Sequence, residues 1–218
     1  MKRRARMPLP SRLKRWLTPP KPYILNPREL DVEAPLGRWN LYIGGARQQV
    51  PGYVNLDLFA MPGVDVQADA HCLPFADDTF TRVECDAVLE HVRDPERVVR
   101  EIARVLAPGG WVHLVTPFCH PFHEYPKDYR RFTPDGLQLL CPGLEIIDAG
   151  WRTGPAATMI VFSLEFAKLL LPWKWWRALA HGVLGWVLWP LRYLDLWLLR
   201  MPYAERLGNH CYLWARKG

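Results

Sequence analysis

Three short stretches of the sequence carry residues whose types suit ligand chemistry, and each follows a strand-like run. Gly44-Gly45 follows WNLYI, and the missing side chains let a backbone approach a ligand there. Asp57 lies at the end of YVNLDL, and Asp69 and Ala70 follow VDVQA. Acids at the ends of neighbouring strands can bind a ribose diol and an adenine amino group. The ordered set predicts a nucleoside site, although each member alone could be a turn or a solvated cap.

A second group of chemistry-bearing residues lies in the polar and aromatic segment 116–137. A long segment of this kind between a strand and a helix is typical of an acceptor site or a lid. Histidine suits proton removal near neutral pH, so we predict His123 or His120 as the general base. Asp128 would orient that base or bind the acceptor. The alternative is that Asp128 and Arg131 only tie down the loop.

The same segment offers further contacts for an acceptor, and it raises the question of a metal. We predict that Glu124, Tyr129 and Arg130 bind the acceptor. His120, His123 and Glu124 form an H-x-x-H-E pattern on a loop flanked by prolines. This pattern lacks the helical spacing of H-E-x-x-H, so we predict no metal site.

The elements that position these residues alternate between strand and helix patterns. Strands are predicted at Trp39–Ile43, Tyr53–Leu58, Val64–Ala68, Arg82–Cys85, Trp111–Val115 and Leu144–Ala149. Asp94 and Pro95 predict the start of the clearest helix, which Pro108-Gly109-Gly110 would end, and Thr133 starts a second short helix. The pattern predicts an α/β fold with a largely parallel, Rossmann-like sheet flanked by helices.

Charge and composition divide the chain into four segments. Residues 1–36 form a basic, proline-rich arm: nine basic residues precede the first acid, and the remaining 190 residues carry a net charge of −3. Residues 37–151 form the core, 152–203 an apolar insert, and 204–218 the final strand of the core. A basic arm on a mildly acidic body argues against a nucleic-acid-binding surface. The five cysteines show no C-x-x-C spacing, which fits a reducing compartment.

The apolar insert has the composition of a membrane interface. Six of the eleven tryptophans fall between Trp173 and Trp197, beside lysines and arginines. Pro172, Pro190 and Pro202 divide the insert into helices too short to span a bilayer. We therefore expect peripheral attachment to anionic lipid at the inner, cytoplasmic face of a membrane. A helical cap over the sheet or a dimer interface is the alternative.

Several motifs together resemble the class I S-adenosylmethionine-dependent methyltransferases, in their type 11-like branch. The carrying residues are LYIGGA (41–46), VNLDL (54–58), ADAHCLPFADDTF (68–80), VLEHVRDPERVVREIARVLAPGGWVHLVTP (88–117) and HEYPKDYRRFTPDGL (123–137). The resemblance covers residues 39–151 and the final strand, and it implies S-adenosyl-L-methionine as cofactor.

The resemblance also implies roles for single residues. Gly44 and Gly45 would pass beneath the methionine part of the cofactor, and Asp57 would accept from the ribose hydroxyls. Asp69 with Ala70 would meet the adenine, and Leu73 would pack on its face. Asp86, with Ala87, would lie near the sulfonium and the substrate entrance.

We expect O-methylation of a sugar or glycolipid-like acceptor at the membrane. An isoprenoid quinone or another lipid is the alternative acceptor. A catalytically idle module of the same fold, acting as a membrane-bound interaction partner, is the alternative outside the enzymes.

Overall fold

The computed structural model describes residues 18–33, 36–45 and 49–218. These residues form one seven-stranded sheet in the order β3-β2-β1-β4-β5-β7-β6. Its strands are β1 (Asn40–Ile43), β2 (Val54–Asp57), β3 (Val66–Gln67), β4 (Phe80–Asp86), β5 (Leu106–Pro117), β6 (Leu144–Thr153) and β7 (His210–Lys217). The first five strands pair in parallel, and β7 lies antiparallel between β5 and β6. The predicted α/β, mostly parallel fold is confirmed.

Five α-helices accompany the sheet in the described residues: α1 (Pro95–Val105), α2 (Pro134–Leu139), α3 (Pro155–Leu169), α4 (Lys174–Leu188) and α5 (Asp195–Leu198). Short 3₁₀ turns occupy Leu89–His91, Trp189–Leu194 and Ala204–Leu207. Asp94 caps α1 by accepting from the backbone N–H of Arg97 at 2.9 Å. Thr133 caps α2 in the same way, accepting from the N–H of Gly136 at 3.0 Å. Both predicted helix starts are confirmed.

The predicted end of α1 is wrong. The helix stops at Val105, three residues before Pro108, and β5 begins at Leu106 instead of Trp111. Leu106 has extended backbone angles (φ −76°, ψ 129°) and pairs with Phe80 of β4. Its apolar side chain fits the helical pattern, but the side chain is also fully buried when Leu106 is part of a strand. Pairing with β4 therefore decides the boundary. β3 is also shorter than the predicted Val64–Ala68.

The core lies between the sheet and α1. Leu41, Val83 and Leu114 on neighbouring strands are fully buried, as are Val98 and Ile102 on α1. Central parallel strands are covered on both faces, so their sequences are continuous apolar runs. This core fixes the carboxyl ends of β1, β2 and β4 at one edge of the sheet.

Part of the N-terminal arm packs against the sheet. The side chain of Asn26 donates to the backbone oxygen of Trp151 at 2.8 Å, and the N–H of Leu30 donates to Asp148 at 3.0 Å. Leu30 and Val32 pack against a small cluster of β5 and β7 residues. Most of the basic residues of the arm precede residue 18 and lie outside the described residues.

The insert between β6 and β7 is attached to the core through α3. Asp195, the first residue of α5, is fully buried and accepts from the N–H groups of Ala156 and Ala157 at 2.8 and 3.0 Å, so it caps α3. The inner face of α3 is buried, whereas Gly185 is the one buried residue of α4. In the described part of the chain, no helix combines the length and apolarity needed to cross a bilayer.

Candidate active site

A pocket opens at the carboxyl ends of β1, β2 and β4. Its volume of about 750 Å³ lies within the range of small-molecule sites. Gly44, Asp57 and Asp86, which follow or end these three strands, contribute to its lining, and Asp69 and Ala70 join them after β3. The parallel pairing of the strands brings these residues together at one edge of the sheet, because parallel strands end on the same side. Segments about 40 residues apart in sequence thus share one cavity.

Gly44 is the position where a glycine is required. Its φ of +84° is in the left-handed region, and a Cβ there would lie 2.2 Å from Cγ2 of Val88. The N–H of Gly44 donates to the backbone oxygen of Leu56 at 2.8 Å, which keeps the turn against β2. The backbone therefore forms a bare part of the pocket wall. Gly45 is buried beside it and does not line the pocket.

Asp57 lies at the end of β2 and is only 6% exposed. One of its carboxylate oxygens accepts from the N–H of Phe59 at 3.0 Å, which fixes the side chain at the pocket wall. An acid held at this position can accept hydrogen bonds from a diol.

Asp69 is held by a histidine that the predictions did not include. The backbone N–H of His71 donates to Asp69 Oδ1 at 2.9 Å, and His71 Nδ1 lies 2.6 Å from the same oxygen. His71 Nε2 faces the N–H of Asp94 at 3.4 Å and acts as an acceptor, so the proton is on Nδ1. Burial acts to raise the pKa of Asp69, but the hydrogen bonds from His71 outweigh it and lower that pKa. The carboxylate is therefore kept ionised.

Asp86 ends β4, and its pKa is shifted in the opposite direction to that of Asp69. Burial raises the pKa of Asp86, and the nearby positive charge of Arg152 opposes the rise only in part. Ala87 follows with a φ of 54°, and its N–H donates to the backbone oxygen of Val115 at 2.9 Å. The chain therefore turns sharply at the pocket, which lets Ala87 and Val88 join its lining.

The segment after β5 closes one side of the pocket through Tyr125, Pro126, Lys127 and Tyr129. The ring of Tyr125 packs edge-on against Phe59, with ring centroids 5.8 Å apart. The Tyr129 hydroxyl accepts from Arg93 Nε at 3.3 Å. The segment thus contacts both the β2 side and the α1 side of the cavity.

Other polar residues of that segment lie outside the pocket lining. Asp128 is almost fully buried and accepts from the guanidinium of Arg131, with one contact at 2.7 Å. It also accepts from the backbone N–H of His123 at 2.8 Å, but His123 Nδ1 is 3.6 Å away, too far for a hydrogen bond. Arg131 lowers the pKa of Asp128 to about 2. These contacts support the alternative in which Asp128 ties down the loop.

Glu124 and Arg130, predicted to contact the acceptor, also lie outside the lining. Glu124 pairs with Lys127 at 3.7 Å on the surface, and Arg130 donates to the backbone oxygen of Arg93 at 3.1 Å. Of the predicted acceptor contacts, Tyr129 lines the pocket. Leu73, predicted to pack on the face of the adenine, is instead a core residue outside the pocket lining: it is 3% exposed, and its N–H donates to Glu101 at 2.9 Å.

The two histidines predicted as bases are adjacent to each other but not in the pocket lining. Their rings are 4.8 Å apart, and each Nδ1 faces the backbone oxygen of Pro121. The nearby carboxylate of Glu90 raises the pKa of His123, whereas burial lowers the pKa of His120. His123 also contacts His91 edge-on at 4.9 Å between ring centroids, and His91 does line the pocket.

Comparison with known proteins gives a family and a fold. The type 11 methyltransferase model, described as a methyltransferase domain, matches residues 46–114. This stretch contains Asp57, Asp69 and Asp86. Residues 46–114 therefore form a methyltransferase domain of the type 11 family. The match confirms the predicted methyltransferase family for this domain.

Two curated relatives and one solved structure illustrate the similarity. A ubiquinone/menaquinone biosynthesis C-methyltransferase from Desulfotalea psychrophila is 49% identical over 111 residues, which cover 49% of this chain and 44% of the relative. A demethylmenaquinone methyltransferase from Renibacterium salmoninarum is 39% identical over 81 residues, 36% of this chain and 34% of the relative. The chain therefore spans less than half the length of these relatives.

The solved structure is phosphoethanolamine N-methyltransferase 2 from Haemonchus contortus in complex with S-adenosyl-L-methionine. It superposes with a TM-score of 0.54 at 19% identity, covering 84% of this chain and 50% of that chain. At this level of identity the likeness shows the shared fold alone.

Four histidine, arginine and lysine residues of the pocket were not predicted from the sequence: His71, His91, Arg93 and Lys127. His71 and His91 lie inside the quoted D-A-H and L-E-H motifs, so adjacency to a motif could have pointed to them. Arg93 and Lys127 carry no such signal, because surface cations are common. Lys127 enters the lining because the segment after β5 closes one side of the pocket.

Proposed function

We propose that this protein is a methyltransferase that transfers a methyl group from S-adenosylmethionine to a lipophilic acceptor, at the inner face of a membrane to which it attaches peripherally. The observation that carries the proposal is that Asp57 and Asp69 line one cavity together with the bare backbone at Gly44. Two acids beside a close backbone approach fit a ribose, an adenine and an amino-acid chain.

The pocket residues fit the cofactor in named roles. Asp57 would accept from the ribose hydroxyls, and Asp69 with Ala70 would meet the adenine. Gly44 would leave room for the methionine part, and Asp86 would lie near the acceptor entrance. When bound, S-adenosylmethionine supplies a methyl group on a positively charged sulfur, already activated for in-line attack. The protein then has to align the acceptor and exclude water.

Two observations support a lipophilic acceptor. The relatives named above act, by their names, in ubiquinone and menaquinone synthesis or on demethylmenaquinone, which favours an isoprenoid quinone. The pocket also mixes aromatic side chains, Phe59, Tyr125 and Tyr129, with its polar groups. O-methylation of a sugar or glycolipid, the acceptor expected from the sequence, stays the second candidate.

The exposed surface of the insert supports a membrane as partner. Apolar side chains that face solvent include Trp173 at 61% exposure, Trp175, Trp197 and Leu169. The acids of the insert are already engaged, because Asp195 is buried as a cap and Glu165 pairs with Lys168 at 2.6 Å. The exposed charges that remain, such as Lys174 and Arg200, are positive, which suits anionic headgroups.

Titration calorimetry tests the cofactor step. The protein should bind S-adenosylmethionine and its demethylated product, and failure to bind either would favour the catalytically idle module. Methyl-labelled cofactor, incubated with vesicles containing either a demethylated quinone or a glycolipid, then identifies the acceptor by the labelled lipid. Cofactor binding without transfer to either lipid would contradict the lipophilic acceptor.

A further inference from the structure

Glu90 is a buried acid whose charge is not balanced by hydrogen bonds. Its side chain is fully buried in the 3₁₀ turn after β4, and neither carboxylate oxygen has a hydrogen-bond partner among the described residues. Burying an unpaired carboxylate costs several kcal/mol, so such a group is expected to face a cation. The question is which cation can reach it.

Two histidines face this carboxylate at distances that a direct hydrogen bond does not explain. His91 Nε2 lies 3.5 Å and His123 Nε2 lies 3.7 Å from Glu90 Oε1. One ligand atom from each residue can be chosen so that all three lie within 4.8 Å of one another. Ligand atoms about 2.0–2.2 Å from a tetrahedral ion are roughly 3.3–3.6 Å apart. The two distances to Glu90 are close to this spacing, and the limit of 4.8 Å for the whole set leaves a small side-chain adjustment for the ion to make.

The other ring nitrogens fix the position of one proton on each histidine. His91 Nδ1 lies 2.6 Å from the backbone oxygen of Lys127, and His123 Nδ1 lies 3.2 Å from that of Pro121. A carbonyl oxygen only accepts, so each Nδ1 carries a proton and donates it. In a neutral ring the Nε2 lone pair is then directed to the Glu90 side. Metal-bound histidines are commonly oriented in this way, by a backbone carbonyl on the second nitrogen.

We propose that Glu90, His91 and His123 form a binding site for a divalent transition-metal ion. Two imidazole nitrogens and a carboxylate oxygen suit Zn²⁺, Fe²⁺ or Co²⁺, whereas Mg²⁺ and Ca²⁺ prefer oxygen ligands alone. Three protein ligands leave at least one coordination position open. His91 also lines the pocket, so the ion would lie at the pocket wall.

This site differs from the one weighed and rejected on the sequence. Glu124 is on the surface beside Lys127, whereas Glu90 is about 30 residues from His123 in the chain. The loop comes back to the 3₁₀ turn, where the N–H of Tyr129 donates to the backbone oxygen of Glu90 at 2.8 Å. That contact is tertiary, so the spacing of the sequence does not reveal it.

Spectroscopic titration with Co²⁺ tests the site on the full chain after treatment with a chelator. We expect one equivalent of Co²⁺ to bind with visible d–d bands, Zn²⁺ to displace it, and Zn²⁺ to raise the melting temperature. Glu90→Gln and His123→Gln should each weaken binding at least about tenfold. His120→Gln is the matched control, because its ring touches His123 but is not among the three ligands, and it should bind as the wild type does.

The proposal is overturned if the wild-type chain binds no Co²⁺, if His120→Gln loses binding as strongly as His123→Gln, or if Mg²⁺ competes as well as Zn²⁺. A thermal melt of each metal-free variant separates loss of a ligand from loss of the fold. Calorimetry with S-adenosylmethionine on the same samples keeps this site apart from the proposed function, because the metal site does not rest on cofactor binding.

Discussion

At the scale of single residues, the pocket depends on acids whose surroundings differ. Asp57 is fixed by the N–H of Phe59, Asp69 is kept ionised by His71, and burial raises the pKa of Asp86. Two of these similar side chains, Asp69 and Asp86, therefore present different proton affinities to a ligand. Such differences allow acids to take separate roles in one site.

Asp57→Asn tests the ribose role. Asparagine keeps the oxygen that accepts from Phe59 but loses the negative charge, so cofactor affinity should fall about 10- to 100-fold while the melting temperature changes little. Calorimetry measures the affinity. Asp135→Asn, an exposed acid in the first turn of α2, is the control and should leave it unchanged. Wild-type affinity in Asp57→Asn would contradict the role.

A buried ion network on β4 and β5 predicts a pH dependence of stability. His113 lies between Glu84, 2.7 Å from Nδ1, and Glu29, 3.1 Å from Nε2. Burial acts to lower the pKa of His113, but the two carboxylates outweigh it and raise that pKa. The resulting stabilisation is complete below the ordinary value of about 6.5 and is lost as pH rises through the raised value.

We therefore expect the free energy of unfolding to fall as pH rises above about 6.5, and His113→Gln to flatten this slope. The variant should also lose about 2 kcal/mol near neutral pH, because it loses hydrogen bonds to two buried carboxylates that stay paired with Arg82 and Arg152. Urea denaturation across pH 6–9 measures both effects. An unchanged slope in the variant would show that another group titrates.

At the scale of elements, the turn after β1 and the cap of α3 decide how the chain enters the site and the insert. Gly44 and Gly143 share a φ of +84°. A Cβ added at Gly44 would lie 2.2 Å from the side chain of Val88, whereas a Cβ added at Gly143 would have no atom within 4 Å. The pair separates backbone strain from crowding at the pocket.

Gly143→Ala should cost about 1–2 kcal/mol, from the left-handed backbone alone. Gly44→Ala should cost more and should also weaken cofactor binding. Adding Val88→Ala to Gly44→Ala should recover part of the lost stability. Chemical denaturation of the three variants measures these differences, and equal losses at the two glycines would contradict the crowding.

Asp195→Ala tests the attachment of the insert. It removes acceptors from two N–H groups of α3, so the free energy of unfolding should fall by about 1–2 kcal/mol. Limited proteolysis should also cut near α4 and α5 sooner. Asp195→Asn, which keeps one acceptor oxygen, should lose less. Equal loss in both variants would indicate that the charge, and not the hydrogen bonds, matters.

At the scale of the whole molecule, the sheet and the insert have different surfaces. The core buries its apolar residues, whereas α4 leaves most of its apolar side chains exposed. An exposed apolar surface of this extent marks an interaction site. The combination of a ligand pocket with such a surface supports an enzyme that meets its acceptor at an interface.

Charge reversal tests the membrane partner. The double variant Lys174→Glu, Arg200→Glu should reduce sedimentation with phosphatidylglycerol vesicles at least about tenfold, because each cation near anionic lipid contributes roughly 1 kcal/mol. Arg100→Glu, on the exposed side of α1, is the control. The dimer interface would be favoured if the variant sediments with vesicles as the wild type does. It would also be favoured if the wild type forms dimers and does not bind vesicles.

The sequence by itself determined the elements and their order. Alternating patterns, the Asp94 and Thr133 caps and the strand-end acids are local signals, because caps and periodicity depend on neighbours within a few residues. These local signals were sufficient to predict the α/β fold, and the motifs around them were sufficient to predict the family. The end of α1 was missed because Leu106 satisfies both patterns, and only its pairing with Phe80 selects one.

The tertiary structure decided which residues share a cavity. Among the predicted residues, Gly44, Asp57, Asp69, Ala70, Asp86 and Tyr129 line the pocket, whereas Gly45, Leu73, His120, His123, Glu124, Asp128 and Arg130 do not. Strand-end residues converge because parallel pairing fixes where strands stop. A long loop has no such constraint, so the positions of its side chains depend on contacts with distant residues. One such contact is the hydrogen bond from the N–H of Tyr129 to the backbone oxygen of Glu90. Those contacts also bring Glu90, His91 and His123 together.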